Sequence, residues 1–158
     1  MLFRSLGQAD AAGNLNVSKF GSRLAGAGGF INISQNAKQV VFLGTFSAGA
    51  QDIGIEDGQL RIIKDGELCK FVAEVEHRTF AGHQAAERGQ PVLYVTERCV
   101  FRLTLDGLEL IEVAPGVDIQ RDILDRMDFT PIVRTPQLMD ARLFLPPPIG
   151  LSEQLNAD

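Results

Sequence analysis

Three glycines in four positions, Gly26-Ala27-Gly28-Gly29, open the stretch GAGGFINISQNAKQVVF. Glycine lets a backbone approach a ligand closely, because no Cβ stands in the way. N–H groups in such a loop, ahead of a short helix, suit an anionic oxygen. Two familiar phosphate loops do not fit. The dinucleotide fingerprint needs a third glycine where Phe30 and Ile31 stand, and the Gly-Lys-Ser/Thr of a P-loop is missing. Taken alone, the pattern is a tight turn with donors to spare.

A nucleophile or base is harder to place. The two histidines, His77 and His83, have no metal-ligand neighbours at helical spacing, and no Ser-His-Asp arrangement follows from spacing alone. Both read as surface or structural groups. Cys99 sits in an apolar strand pattern, where a thiol is core material rather than a reactive thiolate. Cys69 and Cys99 have neither metal-ligand nor redox spacing, so both are expected as plain core thiols in a reducing cytoplasm. Glu74 and Glu76 alternate with Val75, as on a solvated strand face. Asp118, Asp122 and Asp125 suit the polar side of a helix, and Glu97-Arg98 an ion pair or a polar rim.

The elements that must hold the loop follow from periodicity. Asp10-Ala11-Ala12-Gly13-Asn14 is a turn, and Leu15 to Ser18 a short strand. Ile31 to Lys38 is a short helix. Val40 to Phe46 is an apolar, β-branched run that reads as a buried parallel strand. Three Asp-Gly pairs mark hairpin turns. Asp65-Gly66 is expected to join Leu60–Lys64 to Leu68–Val75, and Asp106-Gly107 to join Val100–Leu105 to Leu108–Val113. His83 to Arg88 reads as helix and Val92 to Glu97 as strand. Asp118 caps a helix over Ile119–Met127. Phe144 to Gly150 carries three prolines and reads as an extended tail.

The chain has 158 residues, enough for one domain with a sizeable core, and one domain is the simplest organisation because neither repeat nor linker interrupts it. Its 45% hydrophobic content argues against disorder. A net charge of -5, from 15 basic and 20 acidic residues, sets general nucleic-acid binding aside. No apolar run approaches the roughly 18 residues of a membrane span, and the N-terminus lacks the apolar core of a secretory signal.

Longer stretches say more. Gln8 to Gly21 (QADAAGNLNVSKFG), followed by GAGGFINISQNAKQVVFLGTF, resembles the C-terminal part of family I coenzyme A transferases. Among them it is most similar to the propionate or short-chain acyl-CoA:acetate group. The likeness continues through Arg88–Arg98, Gly107–Asp118 and Met127–Phe129, and it spans about Gly7 to Gly150.

The resemblance implies an α/β fold: an open CoA-transferase-type sheet with short helices and several antiparallel hairpins in the C-terminal half. It implies transfer of CoA from a short-chain acyl-CoA, such as propionyl-CoA or acetyl-CoA, to acetate or a similar acid. A family glutamate attacks the thioester and then becomes a glutamyl-CoA thioester, which keeps the activation that hydrolysis would lose. Coenzyme A is thus a substrate, and neither a resident cofactor nor a metal is expected. Carried over, the glycine motif places Gly28 and Gly29 at the thioester oxygen and CoA, with Gly26 shaping the turn. The glutamate itself, in a Glu-x-Gly motif upstream, has no counterpart: 25 residues precede Gly26 and none is Glu. The expectation is therefore a C-terminal piece whose residues 1–6 are a non-native start, with Leu2–Ser5 outside the fold. It would depend on an N-terminal part or a complementing subunit, within a cytoplasmic homo-oligomer. The alternative is a non-catalytic acyl-CoA or anion-binding module of the same fold.

Overall fold

Val40, Val41 and Phe42 are all buried, although neighbouring side chains on a strand point to opposite faces. Such a run needs cover on both faces of its sheet and partners on both edges. The computed structural model, which describes residues 1–145, supplies the partners. In chain order it holds β1 (Leu2–Ser5), β2 (Gln8–Ala9), β3 (Leu15–Asn16), β4 (Lys19–Phe20), β5 (Arg23–Leu24), α1 (Phe30–Asn36) and β6 (Val40–Leu43). Then come β7 (Ser47–Ala48), β8 (Asp52–Glu56), β9 (Gln59–Lys64), β10 (Leu68–Cys69), α2 (Gly82–Glu87) and β11 (Val92–Val95). The last are β12 (Cys99–Thr104), β13 (Gly107–Val113), α3 (Ile119–Asp122) and β14 (Ile132–Leu138).

A six-stranded sheet in the order β1-β6-β11-β12-β13-β14 organises the chain. β6 lies parallel between β1 and β11, with Val40 opposite both Leu2 and Val92. β12 and β13 then run antiparallel, and β14 closes the far edge parallel to β13. A parallel, buried early part and antiparallel hairpins later are what the sequence pattern implied. Phe42 is the hub of the core, its ring centroid 5.9 Å from Phe30, 5.0 Å from Phe80 and 5.3 Å from Tyr94. Tyr94 is fully buried, and its hydroxyl donates to the carbonyl of Gly13, which pins the Asp10–Asn14 turn to the sheet.

Several expectations are corrected. Leu2–Ser5 belongs to the fold: it is the edge strand of the main sheet, paired with Val40–Leu43. The alternation of Leu2 and Arg4 against Phe3 and Ser5 was a strand signal hidden by shortness. Asp57-Gly58, not Asp65-Gly66, turns a hairpin, between β8 and β9, with φ of 50° and 72°. β9 therefore pairs backwards, and β10 pairs with β7 instead. Glu74 and Glu76 lie on irregular chain, not on a strand. The helix after Asp118 keeps its cap, the carboxylate accepting from Arg121 N at 2.8 Å, but breaks at Ile123 and resumes as a 3-10 turn over Leu124–Arg126. Cys69 is exposed, whereas Cys99 is in the core as expected. β14 carries Pro136 inside it, which a strand at the edge of a sheet tolerates. Of the supposed tail, Phe144 ends a 3-10 turn begun at Ala141, and residues from 146 on lie outside the described part.

Asp65 fails as a turn residue because its carboxylate is engaged elsewhere. Arg98 is fully buried, and its two terminal nitrogens donate to Asp65 at 3.0 and 2.9 Å. Its Nε donates to Glu97 at 2.9 Å, and the Asp122 carbonyl accepts from Nη1 at 3.0 Å. The guanidinium also covers the Phe46 ring, 4.6 Å from its centroid. The cluster ties the end of β9, the β11–β12 turn and α3 into one unit.

Burial alone would raise the Asp65 pKa. The hydrogen bond from Arg98, then that from Ser47, outweighs it and holds the group at about 2. A carboxylate depressed below its unfolded value of 3.8 stabilises the fold above that value and stops doing so as pH falls through 2. The expected contribution is about 2 kcal/mol, lost between roughly pH 4 and 2. Unfolding free energies at pH 5 and pH 2.5 should differ by about 1.5 kcal/mol less in Asp65→Asn than in the parent chain, the remainder being lost below pH 2.5. An unchanged difference would remove Asp65 from the acid response.

Candidate functional site: the glycine loop and its crevice

The glycine loop stands on the surface, between the β4–β5 hairpin and α1. Gly26 and Gly28 have φ of 75° and 51°, in the left-handed region where a side chain is strained. A Cβ on either would meet nothing within 4 Å, so backbone conformation, not crowding, asks for glycine here. Gly29 differs. Its φ is -79°, it caps α1, and a Cβ would touch only the flexible end of Ile33 at 3.1 Å. Among the described residues, neither the Gly28 nor the Gly29 N–H is spent on a protein acceptor. The three glycines named from sequence are thus brought together on one exposed turn with donors available.

A polar frame beneath the loop holds it in place. Ser18 O accepts from Ala25 N at 2.7 Å, and Ser18 Oγ meets His77 Nδ1 at 2.6 Å. The buried Asn16 accepts from the backbone N–H groups of Ser18 and Lys19, and its amide donates to Gln8 Oε1 at 2.8 Å. Glu76 accepts from Gly21 N at 2.7 Å and from Gln8 Nε2 at 3.3 Å. Ser18 and His77 have the pairing of a nucleophile and its base, yet Ser18 is 1% exposed, so the pair is a brace rather than a reagent. His83 is separate, beside Glu87 on α2 at 3.6 Å.

Next to the loop is a crevice of about 750 Å³, lined by Leu6, Phe20, Ala25, Leu68, Lys70 and Glu76 among others. Leu6-Gly7-Gln8 follows directly from the carboxyl end of β1, and the Lys70 ammonium donates to Thr45 O, just past the end of β6. In open α/β sheets ligands settle in this position, outside the carboxyl ends of parallel strands. Lys70, Asn16 and Ser18 were missed as site groups. For Lys70 the available signal was a lysine inside the apolar run Leu68–Val72. Burial lowers its pKa, with Glu97 acting the other way.

The thiols offer little chemistry. Burial pushes Cys99 up to about 12 and raises Cys69 as well, Asp128 adding to the effect at the latter. Among the described residues no cluster of three or more His, Cys, Asp or Glu side chains is arranged for a metal. No helix among them is long and apolar enough to cross a membrane.

Comparison with known proteins bears on the chain as a whole. No protein-family model matches the chain. The acetate CoA-transferase YdiF of Escherichia coli strain K12 is 48% identical over 149 residues, which is 94% of this chain and 28% of that protein. The caffeate CoA-transferase of Acetobacterium woodii is 54% identical over 145 residues, 88% of this chain and 28% of that one. The crystal structure of the acyl-CoA transferase YdiF from E. coli O157:H7, in a thioester complex with CoA, superposes with a TM-score of 0.92 at 47% identity. That match covers 95% of this chain and 30% of that one. The chain is homologous to CoA-transferases along nearly all of its length and shares their fold, and it spans less than a third of theirs.

Proposed function

We propose that this chain is the C-terminal part of an acyl-CoA:carboxylate CoA-transferase, moving CoA from a short-chain acyl-CoA to acetate or a similar acid. The observation that carries the reading is its 48–54% identity to two CoA-transferases over most of its residues. In this reading a glutamate from outside the chain attacks the thioester carbonyl carbon. The carbon–sulfur bond breaks, leaving an acyl anhydride and CoA thiolate. The thiolate then attacks the glutamyl carbonyl, which forms glutamyl-CoA and releases the first acid as its carboxylate. The second acid runs the same steps in reverse. The N–H groups of Gly28 and Gly29 receive the oxyanion at each addition, and Gly26 sets the turn that aims them. Coenzyme A enters and leaves as part of the substrates, in a cytoplasmic homo-oligomer.

The chain alone, incubated with propionyl-CoA and acetate, is expected to yield no acetyl-CoA above the uncatalysed rate by chromatography. Adding the N-terminal part of the YdiF relative should restore turnover. Turnover by the isolated chain would overturn the missing-nucleophile reading. A second reading is a non-catalytic acyl-CoA or anion-binding module built on the same loop and crevice. Acyl-CoA binding with no turnover after complementation would select it.

A further inference from the structure

One group at the crevice has no task in the steps above. Lys70 is 9% exposed, and its ammonium donates to Thr45 O at 2.6 Å, a single acceptor for three N–H groups among the described residues. Glu97 is the neighbouring carboxylate, but its oxygens already accept from Phe46 N at 2.8 Å and Arg98 Nε at 2.9 Å. The space around the ammonium is kept open by glycine: a Cβ at Gly44 would lie 3.0 Å from Nζ. A nearly buried ammonium with one neutral partner is an expensive arrangement, and an arriving anion relieves it. The walls beside it are apolar, from Leu6, Phe20, Ala25, Ala48 and Leu68. The other charged groups there are Arg23 and Glu76, and Glu76 is held by Gly21 N.

We propose that this crevice binds the free monocarboxylic acid, its carboxylate on the Lys70 ammonium and its apolar chain along Leu6, Phe20, Ala48 and Leu68. The inference rests on the transferase reading, which supplies a carboxylate as co-substrate. It deepens that reading by giving the acid a place and a chemical class: one charge, one apolar tail. Glu76 and Arg23, of opposite charge, also line the crevice.

The test is binding, not transfer, so that its failure is separable from failure of the transferase reading. The isotope-labelled 158-residue chain is titrated with acetate, butyrate and hexanoate by NMR. Affinity should rise about threefold to fourfold per added methylene, and shifts should centre on Ala48 and Leu68. Butyramide, with the same shape and no charge, should bind at least about tenfold more weakly, as expected for loss of a charge-assisted hydrogen bond. Lys70→Met should cost butyrate a similar factor while the melting temperature holds or rises, because a costly buried charge is gone. Ala48→Phe, which fills the apolar end and leaves the ammonium alone, should block hexanoate more than acetate. Equal affinity for acetate and hexanoate, sulfate binding as well as butyrate, or an unchanged Kd in Lys70→Met would each overturn the proposal.

Discussion

Arg98→Ala is expected to lower the unfolding free energy by about 3–5 kcal/mol, the usual range for removing one partner of a buried ion pair. Against a typical total of about 5–15 kcal/mol, that leaves the chain marginal or unfolded at room temperature. The loss has three sources. Asp65 and Glu97 lose the donors that hold their charges, the Asp122 carbonyl loses its partner, and the Phe46 ring loses the guanidinium stacked on it. A urea midpoint measured beside Arg98→Met separates the terms, since methionine restores volume without charge. A loss below about 1 kcal/mol in the alanine variant would mean that the cluster relaxes or hydrates, and that the three elements it joins hold together without it.

Much of this was legible in advance, and the exceptions have physical reasons. Long patterns came through: the apolar run at Val40, the hairpin at Asp106-Gly107, the Asp118 cap and the glycine turn are each fixed by neighbours in sequence. What stayed hidden depends on distant partners. Asp65-Gly66 has the same composition as a hairpin turn, but Arg98 takes the aspartate, and no local rule announces that competition. Leu2–Ser5 and Ile132–Leu138 are edge strands, short or interrupted by proline, whose existence depends on the sheet beside them. The candidate site divides the same way. Its glycines form a local motif that is visible in the sequence by itself. The Asn16, Ser18 and His77 brace and the Lys70 crevice join residues far apart in sequence, so composition could not assemble them.

In a complete CoA-transferase relative carrying this loop, Gly29→Val is expected to cut kcat by about 10²–10³, because the side chain obstructs approach of the oxyanion to the Gly29 N–H and so costs about as much as losing that donor. Stability should change by less than about 1 kcal/mol, since surface substitutions without strain seldom do more. Normal helical φ at Gly29 makes this a clean experiment. The fold tolerates a side chain there, at the cost of a small shift of the Ile33 methyl, so lost turnover speaks about the ligand and not the backbone. The same change at Gly28, with φ of 51°, would confound the two, because the β-branched side chain is itself strained. Full turnover in Gly29→Val at unchanged melting temperature would place the thioester elsewhere.

The burial of Tyr94 gives the chain a built-in optical reporter. It is the one tyrosine, and there is no tryptophan, so emission excited near 280 nm and the tyrosine band in near-ultraviolet circular dichroism come from a single ring at the centre of the sheet. Burial, and secondarily Asp10, raises its pKa well above 10, so the folded chain keeps the phenol neutral in alkali where the unfolded chain ionises. Phenolate absorbance at 295 nm therefore appears with loss of the core and not before it, and the stability that the neutral phenol confers fades as pH rises past 10. One wavelength reads global unfolding without a label, from the same hydroxyl that fastens the Asp10–Asn14 turn.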